Sequence, residues 1–126
     1  MLKSKTVALA AIFAGLSAPA ALAADPFGTW LRPSTGAKIE FYACDGKVCA
    51  KVVAVADQTK KDAVGKVIVT GAVPSGVNAW KGNLLNLDDG KTYSGVFTLE
   101  SPTALNLKGC VLGGIVCKGE TLQKVN

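Results

Sequence analysis

The chain has no histidine among its 126 residues. Histidine is the side chain best suited to proton transfer near neutral pH, so Ser-His and Cys-His nucleophilic sites are excluded. Long apolar runs are also missing. The longest, Val7 to Leu16, falls short of the roughly 20 residues needed to span a bilayer as a helix. Charge of one sign accumulates nowhere. The lysines are scattered, the longest basic run is Lys60-Lys61, and the pattern reads as solvated faces rather than a nucleic-acid footprint. Asn-x-Ser/Thr, Cys-x-x-Cys, internal repeats and low-complexity tracts are absent.

What is present begins with an export signal. Lys3 and Lys5 form a positive n-region, Val7 to Leu16 has h-region length, and Ala21-Leu22-Ala23 is a small-x-small cleavage site. The expected organisation is a signal peptide over residues 1–23 and one domain over residues 24–126, periplasmic or secreted. The formal net charge of the whole chain is +5, and loss of Lys3 and Lys5 makes the remainder less basic. Such a charge aids solubility.

Glycine is frequent, apolar runs are short and turn signals recur, which is an all-β pattern. Ile39, Phe41 and Ala43 alternate with Lys38, Glu40 and Tyr42, the period of a strand with one buried face. Asp45-Gly46 supplies turn residues, and Val48, Ala50, Val52 and Ala54 continue the buried face on the return strand. With Cys44 opposite Cys49 across a four-residue loop, Phe41 opposes Val52 and Tyr42 opposes Lys51. A second hairpin spans Ala79 to Leu99, turning at Asp88-Asp89-Gly90, with Tyr93, Gly95, Phe97 and Leu99 on one face. Further strands are expected at Thr29 to Arg32, Lys66 to Thr70, Ala104 to Gly109 and Glu120 to Val125. The polar stretch Asp57 to Lys66 reads as a loop or a single helical turn. About eight antiparallel strands in meander order imply a small β-barrel.

The four cysteines form two tight pairs, Cys44/Cys49 and Cys110/Cys117. In an oxidising compartment pairing is the default, and each pair closes a short loop. Zinc sites prefer gaps of two to four residues between paired cysteines, the gaps here are four and six, and there is no histidine to help, so no metal is expected. Asp88-Asp89 reads as a turn rather than a carboxylate pair. Gly90-Lys91-Thr92 resembles the end of a phosphate-binding loop, but Leu85 stands where that motif needs glycine. An EF-hand loop fails at the same position. Trp30 and Trp80 read as core anchors. The loop holding Val111, Leu112, Ile115 and Val116 has two readings: a plug folded back on one barrel end, or an exposed apolar flap that water disfavours unless something covers it.

Taken together, several motifs resemble the bacterial exported family known as domain of unknown function 2147. They are Gly28-Thr29-Trp30, the run from Cys44 to Lys51, Trp80-Lys81-Gly82, Asp89 to Tyr93, and Lys108 to Gly113 leading to Cys117. The family implies a periplasmic or secreted β-barrel with no established activity. The chain departs from it in a shortened polar stretch, Asp57 to Asp62, and in Leu122 and Lys124, which stand where the family carries Trp and Arg. Gly28-x-Trp30 is also similar to the opening of lipocalins, in which the Trp packs under one barrel end against a basic residue of the last strand. That resemblance assigns the basic role to Lys124, through a cation–π contact.

The leading expectation is a non-catalytic, lipocalin-like barrel that holds a small apolar or amphiphilic ligand, lined by Phe41, Val52, Trp80, Tyr93, Phe97 and Leu105. The competing expectation is a protein-interaction or inhibitor module of the periplasm that presents the 111–116 loop to another envelope protein. A purely structural or stress-related envelope protein comes third and an enzyme last. No cofactor, no nucleic acid and no membrane span after the signal are expected.

Overall fold

A computed structural model describes residues 25–126; the signal-peptide assignment lies outside them. Eight strands follow in order: β1 (Gly28–Arg32), β2 (Ala37–Cys44), β3 (Lys47–Ala54), β4 (Val67–Gly76), β5 (Ala79–Asn86), β6 (Lys91–Ser101), β7 (Ala104–Val111) and β8 (Val116–Lys124). Each pairs antiparallel with the next, and β8 returns to β1 through Trp30↔Lys124 and Leu31↔Gln123, closing the barrel. Closure joins the first and last strands, through a ladder of only those two pairs.

Meander order divides the turns between two ends. The proximal end, where the chain enters at Gly28, carries the β2–β3, β4–β5 and β6–β7 turns and the C-terminus. The distal end carries the β1–β2, β3–β4, β5–β6 and β7–β8 connections.

The first hairpin differs in register from the sequence expectation. Tyr42 faces Cys49, Phe41 faces Ala50 and Ile39 faces Val52, so the ladder has slipped by two residues. The cause is the turn. Asp45 and Gly46 both take positive φ, 51° and 76°, the two-residue hairpin turn that matches strand twist. A slip of two keeps every side chain on its face, so alternation could not tell the two registers apart. Cys44 and Cys49 still join, now diagonally, with Cα atoms 5.9 Å apart. Cys110 and Cys117 are direct partners, their Cα atoms 4.1 Å apart.

β4 runs six residues past the expected Thr70 because it bends instead of ending. Its alternation breaks at Gly71 (φ 61°), where the β4–β5 register shifts, as a bulge requires. β8 begins earlier than expected, at Val116, because the disulfide carries the β7–β8 ladder to the tip. The polar stretch holds a 3-10 helix, Gln58–Ala63, whose N-cap Asp57 accepts from the Thr59 amide. Bonds from the Thr59 hydroxyl and amide hold the Asp57 carboxyl below its usual range.

The core fills the barrel. Trp30, Phe41, Phe97, Leu105 and Leu122 are fully buried. Phe97 meets Phe41 edge-on at 5.1 Å and stacks on Trp80 at 5.4 Å, both favourable aromatic geometries. Gly82, Gly95 and Gly109 are register partners across β5, β6 and β7. A Cβ on Gly82 would lie 2.8 Å from the Ala72 Cα, and one on Gly95 2.8 Å from the Leu84 Cβ. The glycine row thus makes room for neighbouring backbone and side chains.

Candidate functional site at the proximal barrel end

The proximal end is built around Trp30. Its indole Nε1 donates to the Pro26 carbonyl at 2.8 Å, which bends the residues before β1 across the barrel mouth. Lys124 Nζ sits 4.9 Å from the Trp30 ring centroid and donates to the Phe27 carbonyl at 3.0 Å. The C-terminus completes the clamp: Thr29 N donates to Asn126 O and Val125 N to Thr29 O. Gly28 makes this crossing possible, since it holds φ 121° and a Cβ there would lie 2.6 Å from Asn126 O. The Trp30–Lys124 contact implied by the lipocalin resemblance is therefore present.

Two open clefts lie beside the crossing segment Asp25 to Phe27. One, of about 310 Å³, is bounded by Pro26, Phe27, Ala43, Val48, Pro74 and Trp80, with Asp25 and Lys47 at its rim. The other, of about 580 Å³, is lined by Asn78, Leu99, Glu100, Ser101, Pro102 and Lys124 and is more polar. Trp80 reaches the first cleft while its ring stacks on Phe97 behind it. That cleft offers a ligand apolar contact together with two charged groups, the Lys47 ammonium and the Asp25 carboxylate.

The six residues expected to line a ligand are not brought together around one space. Phe41, Val52, Phe97 and Leu105 pack against each other in the core with Trp80. Of the six, only Trp80 borders the 310 Å³ cleft. Tyr93 lies toward the distal end, where its hydroxyl donates to the Asp89 carboxylate. That bond, with the Lys91 amide, holds the Asp89 carboxyl below its usual range and raises the Tyr93 phenol. The cleft walls Pro26, Phe27, Lys47 and Pro74 went unread in the sequence. Pro26-Phe27 directly before Gly28-x-Trp30 is a signal for the first two, and no local pattern marks Lys47 or Pro74.

At the distal end, Glu120 of β8 accepts from Arg32 of β1 and from Ser34. Burial pushes the Glu120 carboxyl up, but the bonds from Arg32 and Ser34 outweigh it, and the net shift is downward. This trio continues the β1–β8 seam beyond its two ladder pairs. Ala63 and Val55 pack against the core at the same end. The 111–116 loop does not fold back as a plug. Ile115 is 83% exposed and Leu112 72%: the β6–β7 pairing stops at Ser94↔Cys110, while β7 and β8 stay paired with each other out to Val111↔Val116. Among the described residues no polar or charged side chain is buried, and no His/Cys/Asp/Glu group has the makings of a metal site.

The barrel has a known counterpart in Helicobacter pylori, the protein HP1028, described as belonging to the lipocalin family. The two share 20% sequence identity and superpose with a TM-score of 0.67, over 81% of this chain and 84% of that one. At that identity the likeness is one of fold. No curated protein matches the chain. The model of a family described as an uncharacterized protein conserved in bacteria, DUF2147, matches residues 28–124. That match runs from the glycine of the Trp30 clamp to its lysine, and by it the chain belongs to the DUF2147 family.

Proposed function

We propose that this is an exported envelope protein, periplasmic or secreted, that holds a small apolar or amphiphilic ligand without catalysing a reaction on it. The observation that carries the proposal is the 310 Å³ cleft bounded by Trp80, Phe27 and Pro74 with Lys47 at the rim. Asp25 shares that rim with Lys47, and an apolar recess with a few polar groups at its edge is what a small amphiphile requires. Lipocalins hold a ligand inside the barrel. Here Phe41, Phe97 and Leu105 occupy that space, so the ligand sits at the mouth, over Trp80. Two disulfides and a bacterial family are consistent with an oxidising compartment.

Anilinonaphthalene sulfonate, an anionic amphiphile, is the test probe. Ala43 is exposed at the cleft wall, so Ala43→Phe fills the recess without entering the core. The probe should bind the parent protein and quench Trp80, and Ala43→Phe should abolish that quenching. Undiminished quenching in Ala43→Phe would remove the cleft from consideration. Native mass spectrometry of protein from its own periplasm should show an extractable small amphiphile, and its N-terminus should be Ala24.

A further inference from the structure

We propose that the β7–β8 hairpin tip docks the protein on an anionic lipid surface. Val111, Leu112, Ile115 and Val116 would enter the boundary between headgroups and acyl chains, with Lys108 and Lys118 among the headgroups. This site lies at the distal end, away from the proposed ligand cleft, and does not depend on it.

The tip is apolar without interruption. Between Cys110 and Cys117 every side chain is aliphatic or absent, and the four large ones are 39–83% exposed. Val111↔Val116 is the last ladder pair, the disulfide lies directly behind it, and the next strand has ended its pairing with β7. The residues are thus held out from the barrel as a stapled wedge. Leu112 has φ 54°, a region that suits glycine or asparagine. Leucine there is unfavourable to the backbone and, exposed, to water. Both costs have a counterpart if the side chain enters hydrocarbon.

Charge and dimension point to lipid rather than protein. No acidic residue occurs between Glu100 and Glu120, and the charges in that stretch are Lys108 and Lys118. Their register partners are Gly119 and Gly109, so the two lysines stand on opposite faces of the hairpin. They lie two or three residues behind the Val111–Val116 pair, roughly 7–10 Å at strand rise. That matches the ~5–10 Å to which interfacial apolar segments sink, and long lysine stems reach headgroups readily. A protein interface draws on aromatic and arginine anchors and on hydrogen bonds at its core. This wedge supplies none of these. In the adjacent turn, Lys60 lies 3.7 Å from Asp88 and offsets its charge, and the Asp89 carboxylate is engaged by the Tyr93 hydroxyl.

The test is co-sedimentation of the disulfide-bonded protein with vesicles of phosphatidylethanolamine and phosphatidylglycerol, against vesicles of phosphatidylcholine alone. Binding to the acidic vesicles, weakened by salt and absent on the neutral ones, is expected. Ile115→Asp should reduce it about tenfold or more, and Lys118→Glu should reduce it at low salt. Neither residue is buried, so both variants should keep the parent melting temperature. Ala43→Phe should bind vesicles as the parent does, which separates docking from ligand uptake at the cleft. Absence of acidic-vesicle binding, equal binding to neutral vesicles, or binding unchanged by Ile115→Asp would each overturn the proposal. Loss of a protein partner in Ile115→Asp, with no vesicle binding by the parent, would assign the wedge to a protein interface instead.

Discussion

Single residues determine how the two barrel ends are held. Gly28 is the most constrained at the proximal end, because its positive φ and the nearby Asn126 carbonyl both exclude a side chain. Gly28→Ala should lower stability by about 2–3 kcal/mol, measured as a urea midpoint shift, and should loosen the Trp30 clamp. Glu120 plays a corresponding part at the distal seam. Its folded pKa is depressed, so its contribution is fully present above the unfolded value of about 4.3 and is lost as pH falls through the folded value. Glu120→Gln should therefore be less stable than the parent near neutrality, and the difference should shrink in acid below both values. A constant difference across pH would show that the carboxylate charge has no part in the seam.

At the scale of elements, the sequence was legible where alternation and turn chemistry agreed. Alternation places Phe41, Val52, Phe97 and Leu105 inward, and they are core; the strand count and both cysteine pairs follow from spacing. Register was not legible, because two ladders differing by two residues place the same faces inward. Only the type of turn at Asp45-Gly46 decides between them. Asp45→Val should disfavour the positive φ at this position and lower the urea midpoint, by about 1 kcal/mol or more, while Asp45→Asn, which tolerates that conformation, should be near neutral. The long reach of β4 was hidden for a related reason: at Gly71 a bulge and a strand end look alike in sequence. The cleft was hidden because its walls come from the crossing segment, the β2–β3 hairpin, the bulged β4 and β5, which no local pattern brings together. The apolar loop was visible as unusual, but whether it plugged the barrel or left it depended on how far the ladder ran.

For the whole molecule, the question is what holds the barrel closed: its covalent bridges or its core. The two disulfides lie near opposite ends, each within one hairpin, so neither crosses the β1–β8 seam. Short closed loops restrict the unfolded chain only modestly, on the order of 2 kcal/mol apiece. The seam is instead held by two ladder pairs, the Arg32–Glu120–Ser34 trio and the burial of Trp30 and Leu122 on either side. Replacing all four cysteines by alanine should accordingly leave a folded barrel with native near-ultraviolet dichroism from Trp30 and Trp80, destabilised by a few kcal/mol. Phe97→Ala should do more damage with one substitution, about 3–5 kcal/mol, since Phe97 touches both Phe41 and Trp80 and so joins β2, β5 and β6. Denaturant titration of the two variants side by side orders the contributions. A four-alanine variant less stable than Phe97→Ala would mean that the bridges, and not the aromatic cluster, close this barrel.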